Sequence, residues 1–210
     1  MKKISLIIIS FLFCISSFSQ NSTDQFLKEL KLKKIDAICT FKDYSVGSVQ
    51  IFDKNEEDKY CELDYYNLPT FILWKENGKI FLTKTDNCFK YSILEINAEK
   101  IWQSYFENEK IIKTEKVKSF QFVEIKNGKK RILNSMVDHS HHQEFKIFTK
   151  NEIIEKHFDD FDLQKTEQNG NEININYKNN MNLKSKKLID KISNIVSENE
   201  NSLTKKRIQK

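Results

Sequence analysis

Apolar positions along this chain fall into a few recognisable periods. Within 22–34, Phe26, Leu27 and Leu30 recur at helical spacing, which predicts a short amphipathic helix with Thr23 or Asp24 as its cap. The stretch 36–66 carries a mixed signal, with a short strand expected at Val49-Gln50-Ile51 and a polar turn at Asp53-Lys54-Asn55-Glu56. After Pro69 the signal sharpens. Apolar runs at 70–74 and 80–83 flank Asn77-Gly78, and runs at 120–125 and 132–133 flank Asn127-Gly128. Asn-Gly supplies the two residues tolerant of positive φ that a type I′ turn requires, so both sites predict β-hairpins.

Between the hairpins, 98–113 predicts a helix whose stripe is Ile101, Trp102, Tyr105, Phe106 and Ile112, with Asn97 as the cap. Residues 144–149 and 152–158 predict a strand pair across Lys150-Asn151, and the strict alternation of 172–177 predicts a half-exposed strand. Over 185–203, Leu188, Ile189, Ile192, Ile195, Val196 and Leu203 fall on one helical face. Hairpin-type connections without repeated βα alternation predict an α+β fold. The expected architecture is a mainly antiparallel sheet built from hairpins, with two to three packed helices including an amphipathic C-terminal one.

The first 19 residues have a different character. Lys2 and Lys3 precede an apolar stretch, 4–15, of 12 residues, which is too short for a bilayer that needs about 20. Ser17 and Ser19 are small residues at the −3 and −1 positions of a signal-peptidase site, so export is expected, with Gln20 as the first residue after cleavage. Cys14 does not make a lipid-attachment site, because the bulky Phe13 precedes it. The expected organisation is therefore a signal peptide at 1–19, a single globular domain at 20–203 and a flexible basic tail at 204–210. The destination is the periplasm or the outside of the cell, and no transmembrane segment remains after cleavage.

Composition narrows the function classes. Aromatics at 12% and only four Gly and one Pro describe a folded domain, not a disordered or linker-rich chain. The net charge of +5 is unevenly placed: 183–210 hold eight basic and three acidic side chains, whereas 20–182 hold 25 basic and 27 acidic. The body is thus slightly acidic, and with only Arg131 and Arg207 available, bidentate phosphate or base-edge recognition is not expected, nor is a nucleic-acid partner. The basic side of 183–207, with Lys184, Lys186, Lys187 and Lys191, suggests contact with a membrane surface as one reading and packing of its apolar stripe onto the body as another.

Three cysteines follow the signal-like segment, namely Cys39, Cys61 and Cys88; in an oxidising compartment one disulfide and one buried free thiol are expected, with three pairings open. There is no CxxC, GxSxG, HExxH, P-loop or GxGxxG; the glycines are isolated at 47, 78, 128 and 170. Adjacent acids such as Asp159-Asp160 read as a solvated turn.

One cluster carries possible chemistry: Asp138-His139-Ser140-His141-His142, followed by Glu144. In an extended strand His139 and His141 project from one face, about 6.5–7 Å apart. A metal set of His139, His141 and Glu144 with Zn²⁺ as the ion follows, with His157 and Asp138 as further donors, since a stable zinc site needs three or four ligands. The alternative is a polar connection bearing solvated histidines and no cofactor. The Lys-, Asn- and Ile-rich texture resembles that of exported proteins from AT-rich Gram-negative bacteria. No characterised family's motif accompanies it, and no site residue is implied by the resemblance. The leading expectation is a non-enzymatic exported module that binds a protein or a small ligand. A metal-binding or metal-dependent hydrolytic protein built on His139 and His141 is the alternative.

Overall fold

The computed structural model describes residues 22–35, 37–47, 68–150, 152–167, 170 and 172–208. The expected strand at 49–51, its turn, Cys61 and the signal-like segment lie outside them. Helix α1 (Ser22–Leu32) leads into β1 (Ala37–Val46), followed by β2 (Thr70–Glu76), β3 (Lys79–Thr85), β4 (Phe89–Tyr91), β5 (Leu94–Ile96) and α2 (Glu99–Thr114). Then come β6 (Gln121–Lys126), β7 (Lys129–Asn134), β8 (Ser140–Thr149), β9 (Ile153–Asp159), α3 (Tyr177–Asn182), α4 (Lys184–Asn199), a 3₁₀ turn (Glu200–Ser202) and β10 (Lys205–Arg207). Among the described residues eight strands make one sheet of order β10-β4-β3-β2-β1-β8-β9, with β5 beside β3, while β6 and β7 form a separate two-stranded ribbon. Every strand pair among the described residues is antiparallel. The fold is α+β, as the hairpin spacing predicts.

The central strands explain the layering. Side chains alternate faces along a strand, and β1 is buried on both sides over its first five residues. Ala37, Cys39 and Phe41 join Leu73, Leu82, Phe145, Ile147 and Phe158 beneath α2 and α4, which contribute Ile101, Trp102, Tyr105, Leu188, Ile189 and Ile192. On the other face Ile38, Ile72 and Trp74 receive Leu27 and Leu30 of α1. The apolar side of α4 is thus spent on the sheet and does not face outward. Among the described residues no helix is long and apolar enough to cross a membrane.

Both Asn-Gly turns have the backbone their sequence requires. Asn77 and Gly78 sit at φ 52° and 78°, Asn127 and Gly128 at 52° and 69°, as a type I′ turn demands.

Several local expectations change. Thr23 lies inside the first turn of α1, where its hydroxyl meets that of Thr85 at 2.7 Å. The residue before α2 is Ala98, which makes no side-chain cap bond, and Phe106 is 52% exposed, lying against Trp102 and Tyr105 at the rim of the core. Lys205–Arg207, expected as part of a loose tail, pairs with β4 through Lys205↔Tyr91, Lys206↔Lys90 and Arg207↔Phe89 while its side chains stay solvated.

The largest departure is 172–177. It is not a strand: one isolated bridge joins Ile173 to Thr166, and α3 begins at Tyr177. The alternation is real but inverted, with Asn174 and Asn176 buried and Ile173 and Ile175 exposed. The Asn174 amide donates to the carbonyls of Asp162 and Gln164, and that of Asn176 donates to the Ser119 carbonyl. Asn180, fully buried, accepts from the Lys118 amide at 3.1 Å and donates to the Lys118 and Asp162 carbonyls. These asparagines do for two irregular segments what a ladder does for strands, because buried backbone groups must be paired.

Cys39 is a buried free thiol, and burial pushes its pKa well above the ordinary thiol range. Cys88 is disulfide-bonded.

Candidate functional site

The histidine cluster lies where β1, β8 and β9 run together. Its register is Ser45↔His141, Tyr44↔His142, Asp43↔Gln143 and Lys42↔Glu144 toward β1, and His142↔Asp159 and Glu144↔His157 toward β9. The segment is extended, so neighbouring histidines face opposite ways.

His139 is exposed and stands one residue before β8, with its ring over Gly47. His141 points to the helix-covered face, where both ring nitrogens are occupied. Nε2 meets Asp43, and Nδ1 lies 3.0 Å from Asp160 Oδ2. The Asp160 amide donates to the His141 carbonyl at 2.9 Å, which fixes that carboxylate beside the ring. Burial lowers the affinity of His141 for a proton, but Asp43 and Asp160 outweigh it and hold the pKa above the usual histidine value. Two carboxylates beside one imidazole favour its protonated form over the neutral one. With a carboxylate on each ring nitrogen, neither nitrogen faces an open position for a metal or a nucleophile.

Glu144 points to the opposite face and pairs with Lys42 at 3.3 Å. The strand therefore separates Glu144 from His141 and does not bring the set His139, His141 and Glu144 together. Among the described residues no group of three or more His, Cys, Asp or Glu is placed to hold a metal ion.

Asp159 and Asp160, expected as a solvated turn, are both engaged. Asp159 accepts from the Ser140 hydroxyl and from the Phe161 amide, and Asp160 holds His141. On the face opposite His141, His142 Nδ1 and His157 Nε2 stand 3.1 Å apart. The spacing of 142 and 157 in the chain carries no sign of that contact, which arises only from the β8–β9 register.

A second candidate surface is the β6–β7 ribbon. Val123 pairs directly with Ile132, and Ile125 is diagonal to Ile132 on the same face. All three are exposed, Ile125 at 75% and Ile132 at 59%, and Met136 beyond the ribbon is 88% exposed. Lys130 shares the face of this strip, whereas Lys126, Lys129, Arg131 and Glu124, the single acid between Gln121 and Asn134, lie on the other face of the ribbon. Among the described residues β7 pairs only with β6. The far edge of β6 is met at its start, where the Ile175 amide donates to the Gln121 carbonyl at 2.8 Å.

An open pocket of about 370 Å³ lies beside the end of α1. Lys31, Lys34, Ile35, Ile38, Phe148 and Ile153 line it together with Thr149 and Lys150, which among the described residues offer no carboxylate, imidazole or thiol for acid–base or nucleophilic work. No protein-family model matches this chain, and no curated protein and no solved structure matches it either.

Proposed function

We propose that this chain is an exported, non-enzymatic interaction module whose β6–β7 ribbon docks an acidic segment of a partner protein. One observation carries the reading: Val123, Ile125 and Ile132 form a contiguous exposed apolar strip on a basic ribbon whose β7, among the described residues, pairs only with β6. A two-stranded ribbon is marginal on its own, and exposed edges are normally blunted because they recruit other strands. An extended partner would add to the edge through main-chain hydrogen bonds and cover the strip with alternate side chains. Lys130 on the face of the strip, with Lys126, Lys129 and Arg131 on the reverse of the same ribbon, favours carboxylates on that partner. The catalytic alternative centred on His139 and His141 draws no support from the placement of His141, whose ring is saturated by two carboxylates.

The experiment places a photo-crosslinking residue at Ile125 or Ile132 in the exported fraction of the native host, with the same residue at exposed Glu107 as control. A discrete protein adduct from the ribbon sites, lost in an Ile125→Asp, Ile132→Asp background of unchanged melting temperature, is the expected result. Adducts from Glu107 alone, or none from the ribbon, defeat the docking reading. N-terminal sequencing should begin at or near Gln20, whereas an intact Met1 on cytosolic protein would defeat export.

A further inference from the structure

His142 and His157 are diagonal neighbours on adjacent strands: the register sets His142 opposite Asp159 and Glu144 opposite His157. Their rings are inclined by 29° with centroids 5.0 Å apart. Tyr44, opposite His142 on β1, stacks on the His142 ring at 5.5 Å and 28°. A strand pair on one side and an aromatic ring on the other thus hold the His142 imidazole in place.

Two imidazole nitrogens bound to one tetrahedral ion, with metal–nitrogen bonds of about 2.0–2.1 Å, stand about 3.3 Å apart. His142 Nδ1 and His157 Nε2 are already 3.1 Å apart. A hydrogen bond is the other way to occupy that separation, and an ion replaces it once the shared proton moves to the outer nitrogen of one ring. His157 is exposed, so its ring has room to turn its lone pair toward a third point. The same face carries Glu144 and Asp159 directly across the strands, and their charge favours a cation there, although Lys42 offsets part of it at Glu144.

We propose that His142 and His157 form a two-imidazole chelate for a late divalent transition-metal ion, with water in the remaining positions. Imidazole pairs suit Cu²⁺, Ni²⁺ and Zn²⁺, with Cu²⁺ held most tightly. With two protein donors the site is open and exchangeable, unlike a closed structural zinc centre. It lies on the sheet face away from His141 and owes nothing to the ribbon.

Tag-free protein stripped with a chelator and then freed of it is titrated with Cu²⁺, Ni²⁺ and Zn²⁺ by calorimetry. One ion per chain is expected, in the affinity order Cu²⁺ over Ni²⁺. Binding should raise the melting temperature, since an ion that prefers the folded state stabilises it by mass action. His157→Ala and His142→Ala should each weaken binding at least tenfold, while the double change His139→Ala, His141→Ala should leave it within twofold. Electron paramagnetic resonance of the Cu²⁺ form should show two coupled imidazole nitrogens, falling to one in either single variant. That signature separates ligation from a loss of fold. Binding that survives both single changes, binding abolished only by the His139, His141 double change, or no saturable binding at millimolar ion would each overturn the proposal.

Discussion

Gly47 lies directly beneath the imidazole of His139: a β-carbon on Gly47 would stand 2.6 Å from His139 Nδ1. The glycine also sits at φ +82°, a conformation that side-chain-bearing residues adopt at a cost of about 1–2 kcal/mol. Gly47→Ala therefore meets two obstacles. The exposed His139 ring can swing aside, but the backbone strain stays. Urea unfolding should show a loss on the order of 1–2 kcal/mol, of which adding His139→Ala recovers only a small part. Stability equal to wild type in Gly47→Ala would mean that the backbone there is not left-handed.

The two Asn-Gly turns differ in what they support. Gly78 closes the β2–β3 hairpin inside the main sheet, whereas Gly128 closes the outlying ribbon. A β-carbon at either position meets nothing within 4 Å, so Gly78→Val and Gly128→Val report backbone strain alone, about 1–3 kcal/mol. The melting temperature should fall in Gly78→Val. Gly128→Val should lose amide protection mainly within 121–134. Unchanged stability and protection in both variants would contradict the turn geometry.

His141 makes stability pH-dependent in a defined direction. Its folded pKa is raised above 6.5 by Asp43 and Asp160, so the folded state binds the proton more tightly than the unfolded chain. That contribution is fully present below pH about 6.5 and fades as pH rises through the higher folded value. In buffer containing a chelator, wild type should lose stability across that window more steeply than His141→Gln. Identical slopes would remove His141 from the pH response.

The cysteines divide by burial. Cys39 has no exposed surface and a thiol whose ionisation burial opposes, and thiolate is the reactive form. A thiol reagent should label Cys39 only after denaturation, and non-reducing peptide maps should place Cys88 in a cross-linked species. Cys39 found in the cross-link, or labelled in the native protein, would overturn that assignment.

Asn180 joins α3 to two irregular segments through three amide contacts. Asn180→Ala leaves partly buried backbone groups of Lys118 and Asp162 without this partner, at up to about 1–3 kcal/mol each. The variant should unfold at markedly lower denaturant concentration, while exposed Asn179→Ala should not. Equal midpoints would show that water replaces the amide.

The sequence by itself determined the elements whose signal is local. Asn-Gly at 77–78 and 127–128 specified turn type and hairpin register, because two positive-φ residues leave the flanking strands little choice. The helical stripes of 22–34, 98–113 and 185–203 are equally local, although the last helix ends at Asn199 and Leu203 follows a 3₁₀ turn, and with the hairpins they made the antiparallel α+β class readable.

Only the tertiary structure decided what depends on partners distant in the chain. β1 was hidden because Ala37, Ile38, Cys39 and Phe41 are buried on both faces, so the apolar residues form a run without strand period. At 172–177 the alternation was visible but its sense was not: Asn174 and Asn176 face inward because unpaired backbone groups of 119–121 and 162–164 await them there. The histidines show the same limit. Their spacing left open whether they lie on a strand or in a polar connection, and the β1, β8 and β9 registers put Asp43 and Asp160 on His141 and His157 on His142. Strand register fixes which side chains meet across the sheet, and it is set by the whole core at once.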